Sequence, residues 1–118
     1  MIIGESLRLD APLRGVKLVV SGITRFPAPD EPAAGPPWWT FIEFEAEQAD
    51  GDRLAALLAD TLDDALPWYA SFQSATEMYV VFARRVFRYP LGVAERREEV
   101  EAYARSLGVP ESQLDWEQ

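Results

Sequence analysis

The chain has 118 residues, of which 48% are hydrophobic and 26% charged, and its formal net charge is −9, with no histidine and no cysteine. This length and composition are those of one globular domain, so we expect residues 1–118 to form a single domain. The charge opposes binding to nucleic acid or to an anionic membrane, the missing cysteines exclude disulfides, and the missing histidines remove the commonest catalytic base.

The first predicted elements are strands. Residues 7–15 alternate briefly and then break at a proline and a glycine, which is typical of a short edge strand or an arm. Residues 16–26 are apolar and β-branched and predict the first substantial strand, with a bulge or a close backbone approach at Gly22. The five prolines of residues 27–37 then predict a stiff surface loop.

Residues 38–47 alternate with a period of two and predict a strand whose apolar, even-numbered face is buried. The odd-numbered face carries two aromatic residues followed by three acids: Trp39, Phe41, Glu43, Glu45 and Glu47. If helices cover the even face, the two rings stand on an open face beside charge, which is the usual anatomy of a protein contact surface. Two alternatives are a cover supplied by the chain itself and a pocket for a small apolar ligand.

Residues 50–67 predict a helix, because leucines recur at helical spacing between an aspartate cap and a proline. Three acids crowd its C-terminal end, where the helix dipole disfavours them: Asp60, Asp63 and Asp64. We expect either the arginines near residue 85 or a basic partner to compensate for these acids.

Three further strands and a second helix follow. Residues 68–73 predict a half-buried strand, and residues 78–82 are apolar on both parities, as in a central strand. Residues 85–90 continue the sheet, either as a bent extension of the preceding strand or, in the interpretation that we favour, after a tight turn around Ala83 and Arg84.

Residues 93–108 predict a helix with a narrow apolar stripe that docks at the rim of the sheet and ends in a left-handed cap at Gly108. Residues 109–118 form a tail that packs Leu114 and Trp116 back onto the body. The order of elements predicts an α+β fold, with a mostly antiparallel sheet of about five or six strands and two main helices packed on one face.

No motif for catalysis or for a cofactor is present. The sequence lacks a glycine-rich phosphate loop, a nucleophile elbow and zinc-ligand spacing, so we expect a non-enzymatic protein without cofactor or metal. The row formed by Glu43, Glu45 and Glu47 is the exception, because neighbouring carboxylates can act as acid and base. Arg84, Arg85 and Arg88 alternate with aromatic residues, as in sites for single-stranded nucleic acid, but the net charge favours a role in offsetting nearby acids.

From these observations we predict a small acidic interaction domain that self-associates as a homodimer and meets a basic protein, as an inhibitor or immunity-type protein would. The predicted partner-binding residues are Trp39, Phe41, Glu43, Glu45, Asp60, Asp63 and Asp64. The alternative is a small-ligand binder or a carboxylate-dependent enzyme that uses the glutamate row. With no secretory leader and no apolar run of about 18 residues, we expect a cytoplasmic protein without a membrane span, and ten arginines beside one lysine suggest a bacterial source.

Overall fold

The computed structural model describes residues 1–29 and 35–116, and this part of the chain has an α+β fold. Its helices are α1 (Gly51–Thr61) and α2 (Ala94–Leu107). Its strands are β1 (Ile2–Ile3), β2 (Val19–Pro27), β3 (Trp38–Glu45), β4 (Tyr69–Gln73), β5 (Glu77–Phe82) and β6 (Arg85–Pro90).

The strands form two antiparallel sheets, with the orders β1–β3–β2 and β4–β5–β6. Backbone hydrogen bonds join the two sheets at a short seam, where the amino group of Met1 donates to the Ser71 carbonyl and the Ser71 N–H donates to the Met1 carbonyl at 3.2 Å. The prediction of one sheet of five or six strands is therefore corrected to two sheets of three. The seam is short because β1 contains only two residues.

The two helices cover opposite faces of the β4–β5–β6 sheet. On β5, Tyr79 and Val81 belong to one buried cluster with Leu58 of α1. The alternate residues of β5 belong to a second cluster with Val100 of α2. The prediction that both helices pack on one face is thus wrong, because a strand that is apolar on both parities needs a layer on each side. The same pattern correctly placed β5 in the centre of its sheet.

The face assignment of β3 is also corrected. Trp39 is only 8% exposed and packs its ring 5.0 Å from that of Trp68, whereas Trp38 is 51% exposed. Phe41 and Phe44 both pack against the first cluster, so the side of β3 that meets the core changes between these two residues. Strands twist, and a strict period of two over eight residues does not follow that rotation. The predicted open face is therefore wrong for Trp39, which the chain itself covers, while Phe41 is half-buried and packs against the same cluster.

Several local predictions concern turns and ends. The register between β2 and β3 shifts between Val20 and Gly22, as expected for a bulge. Arg84 has φ +60°, which confirms the tight turn, and its N–H donates to the carbonyl of Ala59 at 2.9 Å. Helix α1 ends at Thr61 rather than near the predicted proline, because Leu62 forms a β-bridge instead.

The tail is held on the α2 side of the structure. Leu114 and Trp116 are buried in the second cluster, and the indole N–H of Trp116 donates to the Tyr89 hydroxyl at 2.8 Å. The Arg97 guanidinium donates to the Trp116 carbonyl at 2.8 Å and lies 4.9 Å from the indole ring.

Residues 30–34 of the predicted proline loop lie outside the described residues. At its base, the N–H of Ala28 donates to the carbonyl of Pro37 at 2.9 Å. Neither α1 nor α2, nor any shorter helix in the described ranges, has the length and apolar character needed to cross a membrane.

Candidate functional site

A cleft of about 890 Å³ opens between the end of β3, the start of α1, strand β4 and the tail. The second half of β3, the residues that follow it up to Gln48 and the first turn of α1 form one side of it, and residues of β4, the turn after β4 and the start of β5 form the other. This volume is within the range of ligand-binding pockets in proteins. The place where the two sheets diverge from their Met1–Ser71 seam therefore forms a concave surface beside the glutamate row.

The cleft is lined by four carboxylates: Glu43, Glu45, Glu47 and Asp115. The first three are exposed side chains at alternate positions, two on β3 and one just after it. Among the described residues, no arginine or lysine lines the cleft. The local field is thus strongly negative, and it adds to the net negative charge of the whole molecule.

Aromatic side chains form much of the remaining surface: Phe41, Phe44, Tyr69, Phe72, Tyr79 and Trp116. The rings of Phe72 and Tyr79 are stacked with 4.6 Å between centroids and 12° between planes, and Phe44 lies 6.1 Å from Phe72. Burial raises the pKa of Tyr69, and the neighbouring Asp115 adds to that effect. The cleft therefore combines anionic rims with aromatic faces.

A network of charged side chains contacts Tyr79 at its hydroxyl group and at its ring. Arg88 donates two hydrogen bonds to Glu77, at 2.8 and 2.6 Å, and bonds both carboxylate oxygens of Asp52 at 2.8 and 2.9 Å. The Tyr79 hydroxyl donates to Asp52 at 3.1 Å, and the guanidinium of Arg88 lies 5.6 Å from the Tyr79 ring centroid. The hydrogen bonds between Arg88 and Glu77 lower the pKa of Glu77. This network holds the stacked rings of the cleft in place.

Met1, whose amino group joins the two sheets, also lines the cleft. Burial lowers the pKa of this amine to about 6, and the charge of Glu43 opposes part of that shift. At neutral pH the amine is therefore mostly uncharged in the folded chain and does not neutralise the four carboxylates.

This amine makes a testable contribution to the pH dependence of folding. For the 118-residue chain with a free amino group at Met1, the unfolded state binds a proton below about pH 8 and the folded state only below about pH 6. The free energy of unfolding should rise with pH between 6 and 8, by about 1 to 2 kcal/mol after allowance for solvent screening. Urea unfolding across this window measures the slope.

The absence of histidine keeps this window free of ordinary side-chain titrations. Chemical acetylation of the Met1 amine should flatten the curve between pH 6 and 8. A curve with the same slope before and after acetylation would show that another group titrates there.

The structure divides the predicted partner-binding residues into three groups. Phe41, Glu43 and Glu45 line the cleft, whereas Trp39 lies in the core. The remaining acids, Asp60, Asp63 and Asp64, lie at and beyond the opposite end of α1 and line no part of the cleft.

The acids at the end of α1 have contacts within the chain. Asp63 accepts the N–H of Ala65 at 2.7 Å, Asp64 pairs with Arg84, and Arg8 donates to the backbone carbonyl of Asp60. The interpretation that arginines offset nearby acids is therefore confirmed for Arg84 and Asp64.

The other two clustered arginines are also engaged within the chain. Arg88 joins Asp52 and Glu77, and Arg85 lies 4.7 Å from the ring centroid of Phe87 and 5.3 Å from that of Tyr103. These contacts occupy the cationic and aromatic groups that a single-stranded nucleic acid would need.

Sequence reasoning missed the wall of the cleft that faces the glutamates. Phe72, Tyr79 and Asp115 are separated from the glutamate row by about 30 to 70 residues, and no local periodicity links them. The only sign of this wall in the sequence was its composition, since the two strands that follow α1, β4 and β5, both contain aromatic residues.

Within residues 1–29 and 35–116, no group of three or more acidic side chains is placed to hold a metal ion. Comparisons with known protein families, with curated proteins and with solved structures each returned no match. The cleft itself is therefore the basis on which we infer a function.

Proposed function

We propose that this protein is an acidic interaction domain that binds a basic segment of a partner protein in the cleft between the two sheets. The partner would insert an arginine or lysine side chain between the glutamate row and the aromatic wall. The observation that supports this proposal is the pairing of four carboxylates with six aromatic residues in a cleft that, among its described residues, has no arginine or lysine.

The chemistry of arginine and lysine matches both walls. Their charged heads pair with carboxylates, and their apolar stems pack on aromatic rings. The contact between Arg88 and the Tyr79 ring is an example of this chemistry within the chain. A carboxylate cluster without a counterion carries electrostatic repulsion, which a bound cation relieves.

A protein partner is favoured over nucleic acid by charge. The net charge of −9 repels a phosphate backbone and attracts a basic surface, and such attraction also raises the rate of association. An acidic protein that occupies the basic site of another protein acts as an inhibitor or immunity-type partner would.

Calorimetric titration with an acetylated and amidated peptide of alternating glycine and arginine tests the proposal. The triple variant Glu43→Gln, Glu45→Gln, Glu47→Gln should weaken binding about tenfold or more, because it removes three of the four carboxylates of the cleft. Binding should also weaken as salt is added.

A matched variant separates the cleft from the overall charge. The exposed acids Glu95, Glu98 and Glu99 of α2 lie outside the cleft, and their replacement by glutamine changes the net charge by the same three units. This variant should bind the arginine peptide within about twofold of wild type. Equal weakening by both triple variants would mean that only long-range charge attracts the peptide, and the proposal would fail.

A free small cation would pair with the same carboxylates and aromatic rings, which corresponds to the small-ligand alternative. Titrations with free arginine amide and with spermidine therefore run beside the peptide, and a peptide with citrulline in place of arginine reports contacts that need no charge. Tighter binding of the arginine peptide than of either small cation supports the protein partner. The reverse order identifies a small-molecule binding protein.

A further inference from the structure

The outer face of the β2–β3 pair is a second unusual surface, separate from the cleft. Residues directly opposite each other on neighbouring strands share a face, and Pro27 pairs with Trp38 while Ile23 pairs with Ile42. Trp38 is 51% exposed and Ile23 is 64% exposed. Large apolar side chains thus stand in solvent on an edge strand and its neighbour.

The edge itself is open along its length. Strand β2 has nine residues and is the outer strand of its sheet, and in the described parts of the chain its only strand partner is β3. Natural proteins protect such edges with charge, bulges or a covering element. Here the bulge near Gly22, the small polar residues Ser21 and Thr24 and a single charged residue, Arg25, interrupt an otherwise apolar strand.

This face carries one positive and one negative side chain, Arg25 and Glu5. Arg25 lies opposite Thr40, and Thr40 donates its N–H and its hydroxyl to the carboxylate of Glu5 at 2.5 and 2.8 Å. Burial acts to raise the pKa of Glu5, but these hydrogen bonds and the charge of Arg25 lower it overall, so the carboxylate is ionised. Among the described residues, no carboxylate lies within ion-pair distance of Arg25.

One positive and one negative group beside an apolar patch form a surface that fits a copy of itself. A two-fold axis that passes between the two charges places each of them against the opposite charge of the other copy, which a partner of uniform charge cannot match. The acids of the cleft lie at the other end of β3, so the patch is distinct from the proposed basic-segment site.

We propose that this face binds a second copy of the chain about a two-fold axis, with Trp38 and Ile23 buried between the copies and Arg25 of each copy facing Glu5 of the other. The contact relocates the predicted homodimer from the side of Trp39 to the opposite side of the strand. It is independent of the proposed binding of a basic segment.

Tryptophan quenching measures this contact directly. Three of the four tryptophans, Trp39, Trp68 and Trp116, are at most 8% exposed, so Trp38 accounts for most of the fluorescence that acrylamide can reach. Quenching should fall as the protein concentration rises through the range of a weak dimer, about 10 to 100 µM. In Trp38→Phe, the dependence of quenching on concentration should disappear.

Sedimentation velocity with matched variants tests the face. Ile23→Ser should raise the dimer dissociation constant about tenfold, while Val86→Ser, at a 39% exposed position on β6, should leave it unchanged. Arg25→Glu should also weaken the dimer, and mixing it with Glu5→Arg should restore association, because both cross-interface pairs are then attractive. Circular dichroism checks that each variant is folded.

Three results would overturn the proposal. The first is a wild-type chain that stays monomeric up to about 500 µM with constant quenching, well above the expected dissociation constant. The second is an equal effect of Ile23→Ser and Val86→Ser on the dissociation constant. The third is a folded Arg25→Glu variant that associates as wild type does.

Discussion

Replacing Trp39 by alanine is expected to lower the free energy of unfolding by about 3 to 5 kcal/mol, since a nearly buried indole that packs on Trp68 and Phe41 would leave a cavity. Replacing the adjacent Trp38 by alanine is expected to change it by no more than about 1 kcal/mol, because that ring is half exposed. Urea unfolding of the two variants at one pH measures both values.

The pair forms its own control. The two substitutions remove the same atoms from neighbouring residues of one strand, so only the side of the strand differs between them. A larger loss for Trp38→Ala than for Trp39→Ala would mean that the even-numbered face meets the core, as the sequence pattern alone predicts.

The second large effect concerns the two covered faces of the β4–β5–β6 sheet. Leu58→Ala in α1 should cost about 2 to 5 kcal/mol, and Val100→Ala in α2 about 2 kcal/mol, because both side chains are at most 1% exposed. The two residues belong to separate clusters on opposite sides of β5, so the double variant should lose the sum within about 0.5 kcal/mol.

Denaturant unfolding of the two single variants and the double variant checks this additivity. A matched pair within one cluster, Leu58→Ala with Val81→Ala, should deviate from additivity, because both residues belong to the α1 cluster. Strong coupling between Leu58 and Val100 would show that the helices share one core, which contradicts a sheet covered on both faces.

The elements of the fold followed from local patterns, and their arrangement did not. The apolar run of β5, the bulge at Gly22 and the cap at Gly108 each depend on a few neighbouring residues, and the structure has them where the sequence predicts. The division into two sheets depends instead on which strands pair, and one of these strands, Ile2–Ile3, is too short to give a periodic signal.

The face of β3 could not be read from its own residues. Even positions are the more apolar, but burial was decided by where α1 and Trp68 lie in three dimensions. Because the strand twists, an odd-numbered residue, Phe41, and an even-numbered residue, Phe44, both face the core. Alternation predicts that two faces differ and does not identify the one that is covered.

Of the two walls of the candidate site, only one could be predicted from the sequence. Glu43, Glu45 and Phe41 stand out in the sequence as a charged and aromatic row, and they form one wall of the cleft. The other wall comes from β4, β5 and the tail. These residues are distant in sequence from the glutamate row, so no local pattern connects them with it. The acids after α1 stood out equally, yet Asp64 is paired within the chain.

Amide chemical-shift mapping by NMR, with the glycine–arginine peptide added to the labelled protein, tests the binding of a basic segment most directly. The largest shifts should fall on residues 41–48 and 69–75 and on Tyr79, with little change along the exposed acids of α2, and they should vanish in the triple cleft variant. Shifts spread over all acidic surfaces, or centred on α2, would contradict a specific site in the cleft.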